Sequence, residues 1–255
     1  MSSIAIIDAP SNLGLAPLFP GHHPGTRGAP DALRALGLHE ALGAQVQRRV
    51  EAAPYRPDDH RSINVRNMEA IALHAVQLAD AIEEERRAGR FVLVIGGDCS
   101  LLLGAMLANA RLGQAGLLFI DGHTDFYLPE QSGTGGAAGM DLALVAGWGP
   151  EALVDLEGRR PLVDPGRVAA LGNRDFEPRT TAGLPAIEQA LGCYLPLPEM
   201  RRLGMQEAMQ SALQAASPGA APYWIHLDVD VLDGAIMPAV DSPQRDGLSA
   251  AELEQ

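Results

Sequence analysis

Cysteine is almost absent: Cys99 and Cys193 are the only two in 255 residues, too few for a disulfide-stapled scaffold. Aromatic residues make up 4% of the chain against 47% hydrophobic residues overall, so a core must be built mainly from Ala, Leu, Val and Ile. No staple is needed, because a chain of this length buries well over half of its unfolded surface. Long apolar runs are missing as well; none approaches the ~18 residues that a membrane span requires. Residues 3–8 read as a short strand and lack the charged and long apolar regions of a secretory signal. These absences predict a reduced, cytoplasmic setting without a membrane partner. Basic residues are scarce too: 19 stand against 32 acidic ones, and the formal charge of −13 repels a phosphate backbone, which argues against nucleic acid as a partner. Most of that acidity serves solubility, but several aspartates lie in apolar surroundings where solvation cannot explain them.

What is present is an alternation of short apolar runs and amphipathic stretches, with no internal repeat and no low-complexity tract. Strands are expected at residues 4–8, 91–96, 116–121, 168–172 and 223–228. The clearest helix runs over residues 67–87, where Met68, Ile71, Ala72, Ala75, Leu78, Ala79 and Ile82 recur with helical period. A second, over residues 205–216, places Met209, Ala212, Leu213 and Ala216 on one side. Others follow Ala29-Pro30, with proline near the first turn, and Ser100. Apolar strands separated by helices predict a three-layer α/β/α fold with a mainly parallel central sheet. The length allows one large domain or two small ones. In such sheets ligands bind beyond the carboxyl ends of the strands.

Three strands end there in polar clusters. Residues 91–95 run into Gly96-Gly97-Asp98-Cys99-Ser100, residues 116–120 into Asp121-Gly122-His123-Thr124-Asp125, and residues 223–227 into Asp228-Val229-Asp230. A single aspartate at a strand end is ordinarily a cap or turn former. Asp121, His123 and Asp125 are spaced by two, however, as are Asp228 and Asp230, and in extended chain such side chains point the same way. Carboxylates gathered at one sheet edge repel one another and are costly to ionise unless paired or metal-bound. A divalent cation relieves both penalties. The other histidines carry weaker signals: His74 reads as a half-buried or surface residue, His22-His23 as loop, and His226, in phase with Asp228, as either outer support for the site or core.

These motifs resemble the arginase, agmatinase and formimidoylglutamase family, whose usual patterns are Gly-Gly-Asp-His-Ser, Asp-Ala-His-x-Asp and Asp-x-Asp-x-x-Asp-Pro. The resemblance covers nearly the whole chain as one arginase-like domain over residues 1–255. It includes the segment from Gly25 to Leu38, the loop from Gly172 to Pro178 and the stretch from Pro238 to Ser249. The resemblance implies that Asp121 and Asp228 bridge two Mn²⁺ ions, that Asp125 binds the first, and that His123 and Asp230 bind the second. It implies a metal-bound hydroxide as nucleophile, with Asp121 and Asp125 at the catalytic centre and Asp125 accepting its hydrogen bond. Glu177 falls where arginases place an acidic residue toward the substrate's amino group. A homo-oligomer and a small guanidino or amidino substrate are implied in the same way.

The chain departs from the family pattern at three places. Cys99 stands where a histidine ligand is usual: either it is a small buried residue with the ligand role lost, leaving one ion, or it is a thiolate on the first metal. Four aspartates already neutralise two divalent ions, so a thiolate would leave the cluster net negative. Ala138-Gly139 lies where arginases have His-Gly, and alanine cannot carry a proton to a leaving amine. That favours a substrate with a better leaving group, such as an N-hydroxyguanidino compound. Third, the sequence ends at Gln255, where family members usually continue through another strand and helix that carry a glutamate for the guanidinium. The expected activity is hydrolysis of a linear C–N bond in arginine or N-hydroxyarginine. The rivals are a formimidoylglutamase or other guanidino-acid hydrolase, and an inactive paralogue that binds a small molecule.

Overall fold

Gly116–Ile120 (β4) is buried at every residue, as expected of an inner strand of a parallel sheet covered on both faces. In the computed structural model, which describes residues 3–59, 63–113, 115–175 and 183–255, β4 pairs in parallel with Val168–Leu171 (β5) on one side and Tyr223–Leu227 (β7) on the other. Cys193–Leu195 (β6) completes the order β6-β5-β4-β7. A second sheet, also parallel, has the order β2-β1-β3, from Val46–Arg49, Ile4–Ala9 and Phe91–Gly96. The chain divides accordingly into two compact units. One comprises Met1–Gly113 with Leu128–Leu162 and carries β1 to β3; the other comprises Gln114–Tyr127 with Val163–Gln255 and carries β4 to β7. The mixed α/β fold with parallel strands matches the expectation. No helix among the described residues is long and apolar enough to cross a membrane.

In the first unit the helix Met68–Arg87 packs on the helix Leu101–Arg111 and on β1 and β3. It begins one residue later than its periodicity suggests, because Asn67 takes a left-handed backbone at φ 51°. The Asn67 side chain meanwhile bonds to the Arg56 amide and the Leu13 carbonyl. His74 is buried rather than superficial, with Nε2 3.1 Å from the Val50 carbonyl.

In the second unit the helix Met205–Ala216 covers Leu118, Ile120, Ala169 and Leu171. Its buried face is Ala208, Ala212 and Ala216; Leu213, expected there, lies beside it, half-buried. Small side chains let the helix end sit directly on β4. A Cβ on Gly116 would come 1.8 Å from the Ala216 carbonyl oxygen, so only glycine fits.

Candidate metal centre

The ligand motifs of the second unit leave β4 and β7 at their carboxyl ends and turn at once. Spacing by two suggests extended chain, but the structure achieves convergence by another route. Asp121 Oδ1 accepts the His123 amide at 2.7 Å, and Asp228 Oδ1 accepts the Asp230 amide at 2.8 Å. Each leading aspartate thus folds its own motif into a tight turn. Asp228 caps the short 3₁₀ turn Val229–Val231, and Asp125 sits in the left-handed region at φ 44°, which aspartate tolerates better than most residues.

Donor atoms of Asp121, His123 and Asp230 all lie within 4.8 Å of one another. Asp230 Oδ1 accepts the Gly122 amide at 2.9 Å, and its Oδ2 lies 2.8 Å from His123 Nδ1. A Cβ at position 122 would meet Asp230 Oδ1 at 2.7 Å, so Gly122 allows the two loops this close. The other ring nitrogen, His123 Nε2, is 2.8 Å from the carboxamide of Gln244. Asp121, Asp125 and Asp230 are all buried, and Asp228 partly so. Asp121 Oδ2, itself buried, has no hydrogen-bond partner among the described residues.

The segment after β5 fastens the two motifs together. Arg174 donates from its guanidinium to the carbonyls of Val231 at 2.9 Å and Asp230 at 2.7 Å, while its own amide donates to the Gly122 carbonyl at 2.8 Å. Asp175 Oδ2 accepts from the Thr124 amide and hydroxyl at 3.1 and 2.8 Å and from the Tyr127 hydroxyl at 2.6 Å.

Burial first, and then the charges of Asp125, Asp228 and Asp230, hold the Asp121 carboxyl well above the usual carboxylate range. Burial also works against charge on His123 and Asp230. Their mutual hydrogen bond and attraction win, keeping His123 above the usual imidazole range and Asp230 below the usual carboxylate range. Burial pushes His226 down to about 4. A buried carboxylate oxygen with no donor, crowded by other carboxylates and one imidazole, is a poor arrangement for protein atoms alone. It is a good one for a divalent cation with mixed oxygen and nitrogen ligands.

Cys99 lies just beyond β3 in the first unit, half-buried and in no disulfide. Asp98 beside it is a structural clamp, accepting from the Ser11 hydroxyl at 2.6 Å, the Gly14 amide at 3.1 Å and the Ser100 amide at 3.0 Å. Ala138, in the same unit, is buried. Glu177 lies outside the described residues. Sequence reasoning assigned no role to Gln244, Arg174, Asp175 or Tyr127. Only the phase of His226 with Asp228 carried a usable signal, since the others meet the site through turns that spacing does not encode.

A parallel α/β framework that delivers clustered carboxylates and an imidazole beyond its strand ends defines a candidate divalent-cation site. The sequence model of the Arginase family matches residues 2–255, and the chain belongs to that family, the metal-dependent ureohydrolases. It is 28% identical to the arginase of Bacillus caldovelox over 260 residues, covering 99% of this chain and 84% of that one. Identity to Arginase-1 of Homo sapiens is also 28%, over 98% of this chain and 78% of the human one. The native structure of the B. caldovelox arginase matches at a TM-score of 0.83 with 27% identity, covering 99% and 84% of the two chains. The proclavaminate amidino hydrolase of Streptomyces clavuligerus, 21% identical with a TM-score of 0.67 over 99% and 77% of the chains, shares the fold.

Proposed function

We propose that the protein is a manganese-dependent hydrolase of a linear guanidine or amidine C–N bond in an arginine-like amino acid, and that N-hydroxyarginine suits it better than arginine. The observation that carries this reading is the buried, partnerless Oδ2 of Asp121 among the donor atoms of the second unit. Asp121 and Asp228 would bridge two ions, with Asp125 on the first and His123 and Asp230 on the second. The part of Cys99 at the first ion follows the sequence pattern, as does that of Glu177 toward the substrate's amino group. When bound, a pair of divalent ions lowers the pKa of a water molecule and orients it toward a planar carbon. Asp125 would accept a hydrogen bond from that water and Asp121 would fix its position. The water oxygen would add to the guanidinium carbon as its proton passes to Asp125, and the C–N bond would break as the departing nitrogen takes up a proton from solvent.

Ala138 cannot deliver that proton; the δ nitrogen departs from both substrates, so the expected preference for N-hydroxyarginine rests on its less basic guanidino group. We also take residues 1–255 as one arginase-like domain, because the family match runs through both units. On the resemblance, we take the working form to be a cytoplasmic homo-oligomer. The test is ornithine release by the Mn²⁺-loaded protein from arginine and from N-hydroxyarginine, with urea and hydroxyurea as the respective co-products. Faster turnover of N-hydroxyarginine is expected. Equal turnover overturns the preference for N-hydroxyarginine. Metal retention without any turnover favours an inactive small-molecule-binding paralogue.

A further inference from the structure

His226 occupies a place that no motif assigned to it. It is the penultimate residue of β7 and pairs in register with Phe119 of β4. The two rings stack at 4.9 Å with an interplanar angle of 10°, which fixes the direction of the imidazole. That direction is toward the site: His226 Nε2 lies 3.9 Å from Asp121 Oδ2. This is the same carboxylate oxygen that is buried without a hydrogen bond.

The separation decides the meaning. At 3.9 Å the two atoms are too far apart for a hydrogen bond. An imidazole hydrogen-bonded to Asp121 would have closed that gap and satisfied the oxygen. Leaving a buried carboxylate oxygen without a partner costs about 1–3 kcal/mol or more. Nitrogen and oxygen ligands each lie about 2.0–2.2 Å from a bound divalent cation. Two donors of one ion therefore stand roughly 3–4 Å apart, as these two do. The charges of Asp125 and Asp228 also bear on Asp121, so the gap already faces other anionic groups of the same unit.

We propose that His226 Nε2 is a ligand of the divalent cation that Asp121 Oδ2 holds. An imidazole is then supplied from β7 as well as by His123 from the loop after β4. The inference rests on the metal-dependent reading above and deepens it. Its ligand is a borderline-to-hard divalent ion, and His226 raises the nitrogen content of the site without adding negative charge to a crowded set of aspartates.

The test uses the full chain, stripped with a chelator and titrated with Mn²⁺ alone by calorimetry, together with pulsed electron paramagnetic resonance to count coupled histidine nitrogens. His226→Phe keeps a ring on Phe119 and removes the donor. In wild type, imidazole couplings from two histidines are expected. In His226→Phe one coupling disappears, and one Mn²⁺ is lost or bound about 10–100-fold more weakly. A folded His226→Phe protein with unchanged stoichiometry, affinity and nitrogen couplings overturns the proposal. If that variant does not fold, the wild-type count decides it together with His123→Ala: a surviving imidazole coupling in His123→Ala supports His226, and none overturns it. Wild type that takes up no Mn²⁺ overturns the proposed function itself, an outcome distinct from metal uptake that ignores His226.

Discussion

His123 is held at both ring nitrogens, and the two contacts do different work. Nδ1 faces Asp230 and the site, whereas Nε2 meets the Gln244 carboxamide at 2.8 Å. A histidine that binds metal through one nitrogen needs an acceptor for the proton on the other. As placed, Gln244 Nε2 lies there; turning the amide over brings its oxygen to His123 Nε2 as an acceptor, which would direct the Nδ1 lone pair at the ion. Gln244→Leu is expected to weaken Mn²⁺ binding at the His123 ion about 10–100-fold, read by titration, while Gln244→Glu keeps the acceptor and most of the affinity. Equal affinities in wild type and Gln244→Leu would remove Gln244 from the site. Arg174 acts on the opposite side of the ligand loop, with two guanidinium bonds to the carbonyls of Asp230 and Val231. Hydrogen bonds from a charged donor are worth about 1.5–3 kcal/mol each, so losing both in Arg174→Ala should cost roughly 3–6 kcal/mol of unfolding free energy in urea. Arg174→Lys should recover only part of it, because an ammonium cannot reproduce the fork. Full recovery by lysine would show that charge alone is needed.

At the scale of elements, helix Ala250–Leu253 illustrates how a short segment is held by its ends. Ser249 and Glu252 form a capping box, and Glu252 also bonds Arg201 at 2.8 Å from the neighbouring helix Leu197–Leu203. The Arg201 hydrogen bond, helped by the Ser249 amide, pulls the Glu252 carboxyl down from 4.5 to about 2. A carboxyl depressed in the folded state stabilises it above the ordinary value, and that contribution is lost as pH falls through the folded value. Protection of the amides of residues 250–253, taken as the exchange rate relative to the unprotected rate at the same pH, should therefore be full above about pH 4.5 and fall toward pH 2. In Glu252→Gln the acid-dependent step should vanish; if it persists there, another group controls the docking. Strands β1, β3, β4, β5 and β7 are legible because each is a largely apolar run, although β3 and β7 lie at sheet edges and β7 alternates exposed with half-buried residues. β2, with its sequence Val-Gln-Arg-Arg, is too polar to be announced by an apolar run, and β6, only Cys-Tyr-Leu, is too short. The convergence of Asp121 with His123 and of Asp228 with Asp230 was legible as proximity. Its cause was not, because a carboxylate that captures the amide two residues on looks, in sequence, like an alternating strand.

For the molecule as a whole, the formal charge of −13 hides an uneven placement of acid groups: Asp121, Asp125 and Asp230 are buried together in one unit. Apo protein bears that crowding by holding protons, since Asp121 stays protonated above the usual carboxylate range and His123 above the usual imidazole range. A cation that takes their place must displace those protons, so its apparent affinity should rise with pH and fall as pH drops through the two raised values. Stability follows by mass action, because a ligand at a hundred times its dissociation constant stabilises the folded state by about 2.7 kcal/mol. Mn²⁺ should accordingly raise the thermal midpoint strongly near pH 8 and progressively less toward pH 5. Asp228→Asn should flatten that response. Amide exchange should slow on Mn²⁺ addition at residues 121–127, 172–175 and 228–233, the segments that carry Asp121, Arg174 and Asp230. A stabilisation by Mn²⁺ that is equal at pH 5 and pH 8 would mean that the ion displaces no protons, and it would place the bound metal somewhere other than among these carboxylates.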